Sequence, residues 1–100
     1  MTPTGFSPTG TTKNIAATTT SGRVALPVYT TNRTVRAYNA TGGVAFIEFG
    51  QATVAAVVAT SMPLGPGATE FFDVGPGVTH VAAILAAGAG TIYFTEGQGA

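Results

Sequence analysis

Short runs of alternating apolar and polar residues, cut about every 8–12 positions by Gly- or Pro-bearing turns, constrain this chain most. A period of two puts successive side chains on opposite faces, as in a strand with one buried face. Val24, Leu26 and Val28 alternate with Arg23 and Ala25, and Pro27 marks a sheet edge or a strand end. In residues 33–39, Val35 and Ala37 share one face while Arg36 and Tyr38 share the other. In residues 44–49, Ala45, Ile47 and Phe49 share a face. Thr41, Gly42 and Gly43 lie between these runs, and paired glycines permit a tight turn. Residues 33–39 and 43–49 are therefore expected to form a hairpin. Residues 69–74 carry Phe71 and Phe72 on opposite faces. Residues 80–85 are apolar on both faces, as a central strand would be. In residues 91–96, Ile92 and Phe94 point inward and Thr91, Tyr93 and Thr95 outward.

The connectors follow from turn chemistry. Residues 62–67 read Met-Pro-Leu-Gly-Pro-Gly and are expected to be a turn, because Pro presets φ and Gly supplies left-handed positions. Gly75-Pro-Gly77 repeats the Gly65-Pro-Gly67 stretch, which suggests one turn used twice on one edge of the structure. Residues 86–90 are a small-residue turn, and residues 97–100 a short loose tail. Residues 52–58 mix Ala with Val and are too short for an independent helix, so they are expected to be a weak strand or a loop crossing.

Seven or eight such strands specify an all-β fold: an antiparallel two-sheet β-sandwich, of which the jelly roll is one form. A chain of 100 residues makes a single domain. Residues 1–20 differ from the rest, with Phe6 and Ile15 as their only sizeable apolar groups. Pro3, Pro8, Gly5 and Gly10 leave little to bury, so this stretch is expected to be a flexible N-terminal arm, with residues 15–19 able to start a strand. The sandwich domain is expected over residues 21–100.

Only eight residues are formally charged, four of each sign, whereas 45% are hydrophobic. An average soluble domain has about a quarter of its residues charged. The surface must therefore be built of Thr, Gly, Ala and backbone, which suits a subunit packed against other protein and a homo-oligomer. Scattered, balanced charge steers the chain to neither nucleic acid nor an anionic membrane. The absence of cysteine excludes disulfides and thiolate metal sites. The amino terminus lacks signal-peptide character, and no apolar run reaches the bilayer-spanning length of about 20 residues. A soluble protein made in the cytoplasm is expected.

No catalytic constellation is legible. His80 is the only histidine and has no ligand set near it in sequence, so it is read as a hydrogen-bonding core-edge residue rather than a metal ligand. Glu70 and Asp73, three apart on a strand, point to opposite faces and cannot pair by themselves. With Glu48 and Glu96 they are read as solvated, edge-protecting carboxylates. The Gly-Pro-Gly stretches open strands, not helices, and the only lysine is Lys13, so they are turns and not phosphate cradles. The Thr enrichment fits half-exposed strand positions and lacks the repeated ladder an ice-binding face needs. No catalytic residue, metal or cofactor is expected. Candidate partner-binding residues are Phe6 and Lys13 in the arm, Arg33 and Arg36 for two-pronged carboxylate contacts, and Tyr29 and Tyr38 as aromatic anchors with a polar tip.

Several segments carry a resemblance: Val35-Arg-Ala-Tyr-Asn39, Ala45-Phe-Ile-Glu-Phe-Gly50, Met62-Pro-Leu-Gly-Pro-Gly67, Val78-Thr-His-Val-Ala-Ala-Ile84 and Thr91-Ile-Tyr-Phe-Thr-Glu-Gly97. Over residues 33–97 the chain resembles small virion proteins of tailed bacteriophages, of the capsid decoration or cement type. That resemblance implies a β-fold, often trimeric, on the outer face of an icosahedral shell, bridging neighbouring major capsid subunits. The location implied is the capsid exterior of a virion assembled in the host cytoplasm. A tail, neck or fibre component and a carbohydrate-binding module are the competing expectations.

Overall fold

The computed structural model describes residues 7–8, 11–26, 33–75 and 77–98; these form nine strands and no helix. In chain order they are β1 (Ser7–Pro8), β2 (Lys13–Ala17), β3 (Gly22–Ala25), β4 (Arg33–Asn39), β5 (Ala45–Gly50), β6 (Met62–Leu64), β7 (Thr69–Val74), β8 (His80–Leu85) and β9 (Gly90–Gln98). All pairings are antiparallel and make two sheets. One runs β9-β4-β7, with β1 and β2 end to end along the other edge of β9; the second runs β3-β8-β5-β6. The chain is an antiparallel two-sheet β-sandwich, and its strand order is that of a jelly roll.

The pairing has a simple origin. Ala45 faces Leu64, Val35 faces Phe72, Gly22 faces Ala83 and Ile15 faces Ile92. Each pair is centred near residue 53. The chain is one long antiparallel ribbon, doubled back at residues 51–61 and then wound so that successive segments alternate between sheets. Winding lets each ribbon segment bury its apolar face against another, which a flat hairpin cannot do. Ile15, Val35, Ile47, Val81, Leu85 and Phe94 meet in the core, with the Phe49 and Phe72 rings 5.3 Å apart at its margin. Each such side chain contributes about 1.5–3 kcal/mol on full burial.

Most of the alternation reads through. Strands β7 and β8 coincide with the expected runs, β9 contains its own, and β8 is central, between β3 and β5. Ile92 and Phe94 are fully buried. The strand expected near residues 15–19 is β2, whose Ile15 and Ala17 enter the core, so part of the first twenty residues is sheet. Residues 51–61 are a loop crossing.

Four expectations change. The hairpin between 33–39 and 43–49 does not form: β4 lies between β7 and β9, while β5 lies in the other sheet. Both edges of β4 are taken by distant strands, and the Gly42-Gly43 turn carries the chain across the core instead of back alongside. Residues 62–64 are not turn but β6, an edge strand on which Pro63 needs no ladder donor. Residues 97–98 are not tail: β9 continues to Gln98, opposite β1 and β4. The two Gly-Pro-Gly turns do share a bond, Ala68 N–H to Gly65 O at 3.1 Å and Val78 N–H to Gly75 O at 3.1 Å. They sit at the two ends of β7, however, not on one edge.

Gly67 in the first of these turns has φ +74° and open space around its α-carbon. Backbone handedness alone then resists substitution. Gly67→Ala is expected to cost about 1 kcal/mol, read as a shifted urea midpoint with unchanged slope.

Candidate interaction face

The outward side chains of the five-stranded sheet follow from register. Asn14 of β2, Tyr93 of β9, Tyr38 of β4 and Thr69 of β7 form one row. Thr95, Arg36 and Phe71 form the next, extended by Thr12, whose hydroxyl lies 2.7 Å from that of Thr95. Thr34 and Asp73 follow, with Thr34 Oγ1 donating to Asp73 Oδ1 at 3.0 Å. The Tyr38 and Tyr93 rings are nearly parallel, 18° apart in plane with centroids separated by 6.3 Å. The Arg36 guanidinium lies 6.0 Å from the centre of the Tyr38 ring, at the outer reach of a cation–π contact. Tyr93 is 38% exposed and Phe71 42%.

Part of the outer face of the other sheet, around Ala82, is covered by its own chain. Residues 51–61 cross it, held by Arg23 Nη1 donating to Val54 O at 3.0 Å and by Ala56 N–H donating to Ser21 Oγ at 2.9 Å. Ser61 Oγ donates to Glu48 Oε1 at 2.8 Å and accepts from Val57 N–H at 2.9 Å. This crossing explains why Ala82, which points away from the core between Arg23 and Glu48, is fully buried. Between β6 and β7 the sandwich is open, with a groove of about 550 Å³ floored by Ile47, Phe49 and Phe72 and rimmed by Met62 and Ser61.

The expected partner-binding residues divide. Arg36 and Tyr38 come together on the face above. Arg33 begins β4, opposite Val74. Lys13 lies on β2, not in a loose arm, opposite Phe94 and in phase with Ile15 and Ala17, so it leaves this face. Phe6 and Tyr29 lie outside the described residues. Sequence reasoning did not select Tyr93 and Phe71 as partner-binding residues. The outward phase of Tyr93 is legible and Phe71 is placed only opposite Phe72, but nothing local sets either beside Arg36 and Tyr38.

The titratable groups are dispersed. His80 Nδ1 is 2.8 Å from Thr79 Oγ1, a local hydrogen bond. Glu48 bonds Ser61, and Asp73 bonds Thr34. Glu96 is not solvated: it is 1% exposed, because β9 runs on past it and it keeps the inward phase of Ile92 and Phe94. Burying a carboxylate demands a partner, and Glu96 has one. Among the described residues, no three His, Cys, Asp or Glu side chains gather as a metal site. No helix there is long and apolar enough to cross a membrane. Compared with protein-family models, with curated proteins and with solved structures, the chain matches none.

Proposed function

We propose that this chain is a non-enzymatic structural protein of a virion, which decorates and stabilises an icosahedral phage capsid by bridging major capsid subunits. It acts as a homo-oligomer, with a trimer favoured, on the capsid exterior. The observation that carries this reading is the contrast between the two outer faces. One is partly covered by the chain's own loop, while the other presents two tyrosines, a phenylalanine and one arginine in adjacent rows. Interfaces are enriched in aromatics and Arg at their cores and depleted in other charge. A chain with eight charged residues in 100 has little else with which to hold water. Jelly rolls serve in capsid and lectin domains alike, so the fold adds breadth and not choice.

Quantitative mass spectrometry of purified particles of the encoding phage tests the reading. A molar ratio to the major shell protein near one, or a simple fraction of one, is the expected result. A handful of copies per particle would move the protein to the tail, neck or fibre. Absence from the particle would end the virion reading. The parallel Tyr38–Tyr93 pair beside Asn14 would then favour a carbohydrate-binding module, with the rings stacking on sugar and the amide bonding its hydroxyls.

A further inference from the structure

We infer that the outer face of the five-stranded sheet docks on a protein surface that presents a carboxylate to Arg36 between apolar side chains. This rests on the virion reading and names the face and the chemistry by which the partner is held.

Arg36 is half-buried, flanked in register by Phe71 and Thr95 and stacked toward Tyr38. Its planar fork has five donors suited to a two-pronged carboxylate contact. Among the described residues, the Tyr38 ring is the charge-related contact it makes. The nearest carboxylate on the face, Asp73, already accepts from Thr34. Among the described residues, then, the face carries a cation with a ring contact and no ion pair, which a carboxylate from outside would complete. Around it, Tyr38, Tyr93 and Phe71 offer apolar area that would exclude water from the contact, which is how an arginine becomes a dominant interface residue.

Two other occupants fit less well. A second copy laid face to face about a two-fold axis could offer Arg36 one carboxylate of this face, Asp73, whose Oδ1 is already engaged by Thr34. Small sugars are usually taken into concave sites, whereas these residues lie in adjacent rows of a sheet surface.

The test is co-sedimentation of the full chain with assembled shells of the major capsid protein. Variants are Arg36→Gln, Arg36→Lys and Tyr93→Ala, with Val57→Ser on the loop over the opposite sheet as the control. Arg36→Gln keeps the apolar stem, and thermal melts confirm that each variant is folded. The expected result is a loss of about 30-fold or more in affinity for Arg36→Gln. Arg36→Lys should recover little, because an ammonium cannot make the paired contact. Tyr93→Ala should lose about tenfold, and Val57→Ser should bind as wild type. Wild-type shell binding that survives all three face variants would overturn the docking face and leave the virion reading standing. Failure of the wild type itself to bind shells would overturn both. Loss of oligomerisation in Arg36→Gln, seen by sedimentation velocity, would make the face an interface between copies and overturn the inference. Binding of an oligosaccharide array that Tyr93→Ala abolishes would make it a sugar site, with the same consequence.

Discussion

Asn39→Asp is expected to be the most damaging single-atom change in this protein, costing at least about 4 kcal/mol and leaving much of the chain unfolded at 37 °C. Asn39 ends β4 and is fully buried. Its Nδ2 donates to Gly43 O at 2.9 Å, Leu64 O at 2.9 Å and Gly65 O at 3.1 Å. Its Oδ1 accepts from Thr41 N–H at 2.9 Å and lies 2.6 Å from the Thr41 hydroxyl. One amide thus ties the β4–β5 crossing to the β6–β7 turn. The main chain repeats the link, with Asn39 N–H bonded to Ala68 O and Gly67 N–H to Asn39 O. Aspartate has the same shape but would set a carboxylate oxygen against three carbonyl oxygens. Asn39→Ala removes the donors without adding charge, so it should cost less, about 3 kcal/mol. Urea unfolding followed by far-UV circular dichroism measures both. An aspartate variant as stable as the alanine variant would refute this account of the site.

Gly90→Ala should cost about 2–4 kcal/mol although the added group is one methyl. A Cβ on Gly90 would lie 2.6 Å from Thr41 Cγ2, 2.8 Å from Thr41 Cβ and 3.1 Å from Thr41 Cα. Thr41 cannot swing aside cheaply, because Asn39 and the Gly43 carbonyl hold its amide and hydroxyl. Thr41→Ser removes Cγ2 and keeps the hydroxyl. In the double variant it should recover about 1 kcal/mol of the Gly90→Ala loss, a coupling that a thermodynamic cycle isolates. Additive losses would show that the strain lies elsewhere than in this contact.

These sites show why some features were legible and others not. The inward phase of Ile92 and Phe94 was plain, because it needs only the chain's own alternation. Glu96 shares that phase, yet the sequence alone points it to solvent, because where β9 stops depends on β1 and β4 lying beside residues 97–98. Gly42-Gly43 announced a turn, but whether a turn returns along the same sheet or crosses to the other depends on which edges are already occupied. Pro63 read as a turn residue, since nothing local says that its strand lies at an edge. Arg36 and Tyr38 are partner-binding candidates on sequence grounds alone. Tyr93 joined them only through the pairing of β4 with β9, over a sequence separation no local rule spans.

The sequence by itself determined the longer strands, several of their buried faces and most of their turns, because side-chain phase and the φ preferences of Gly and Pro act within a few residues. Tertiary structure alone decided that the ribbon winds into a jelly roll, that Asn39 joins two crossings, and that Arg36, Tyr38, Phe71 and Tyr93 share one face. Those outcomes depend on which distant edges pair, and pairing is selected by the burial of both ribbon faces at once.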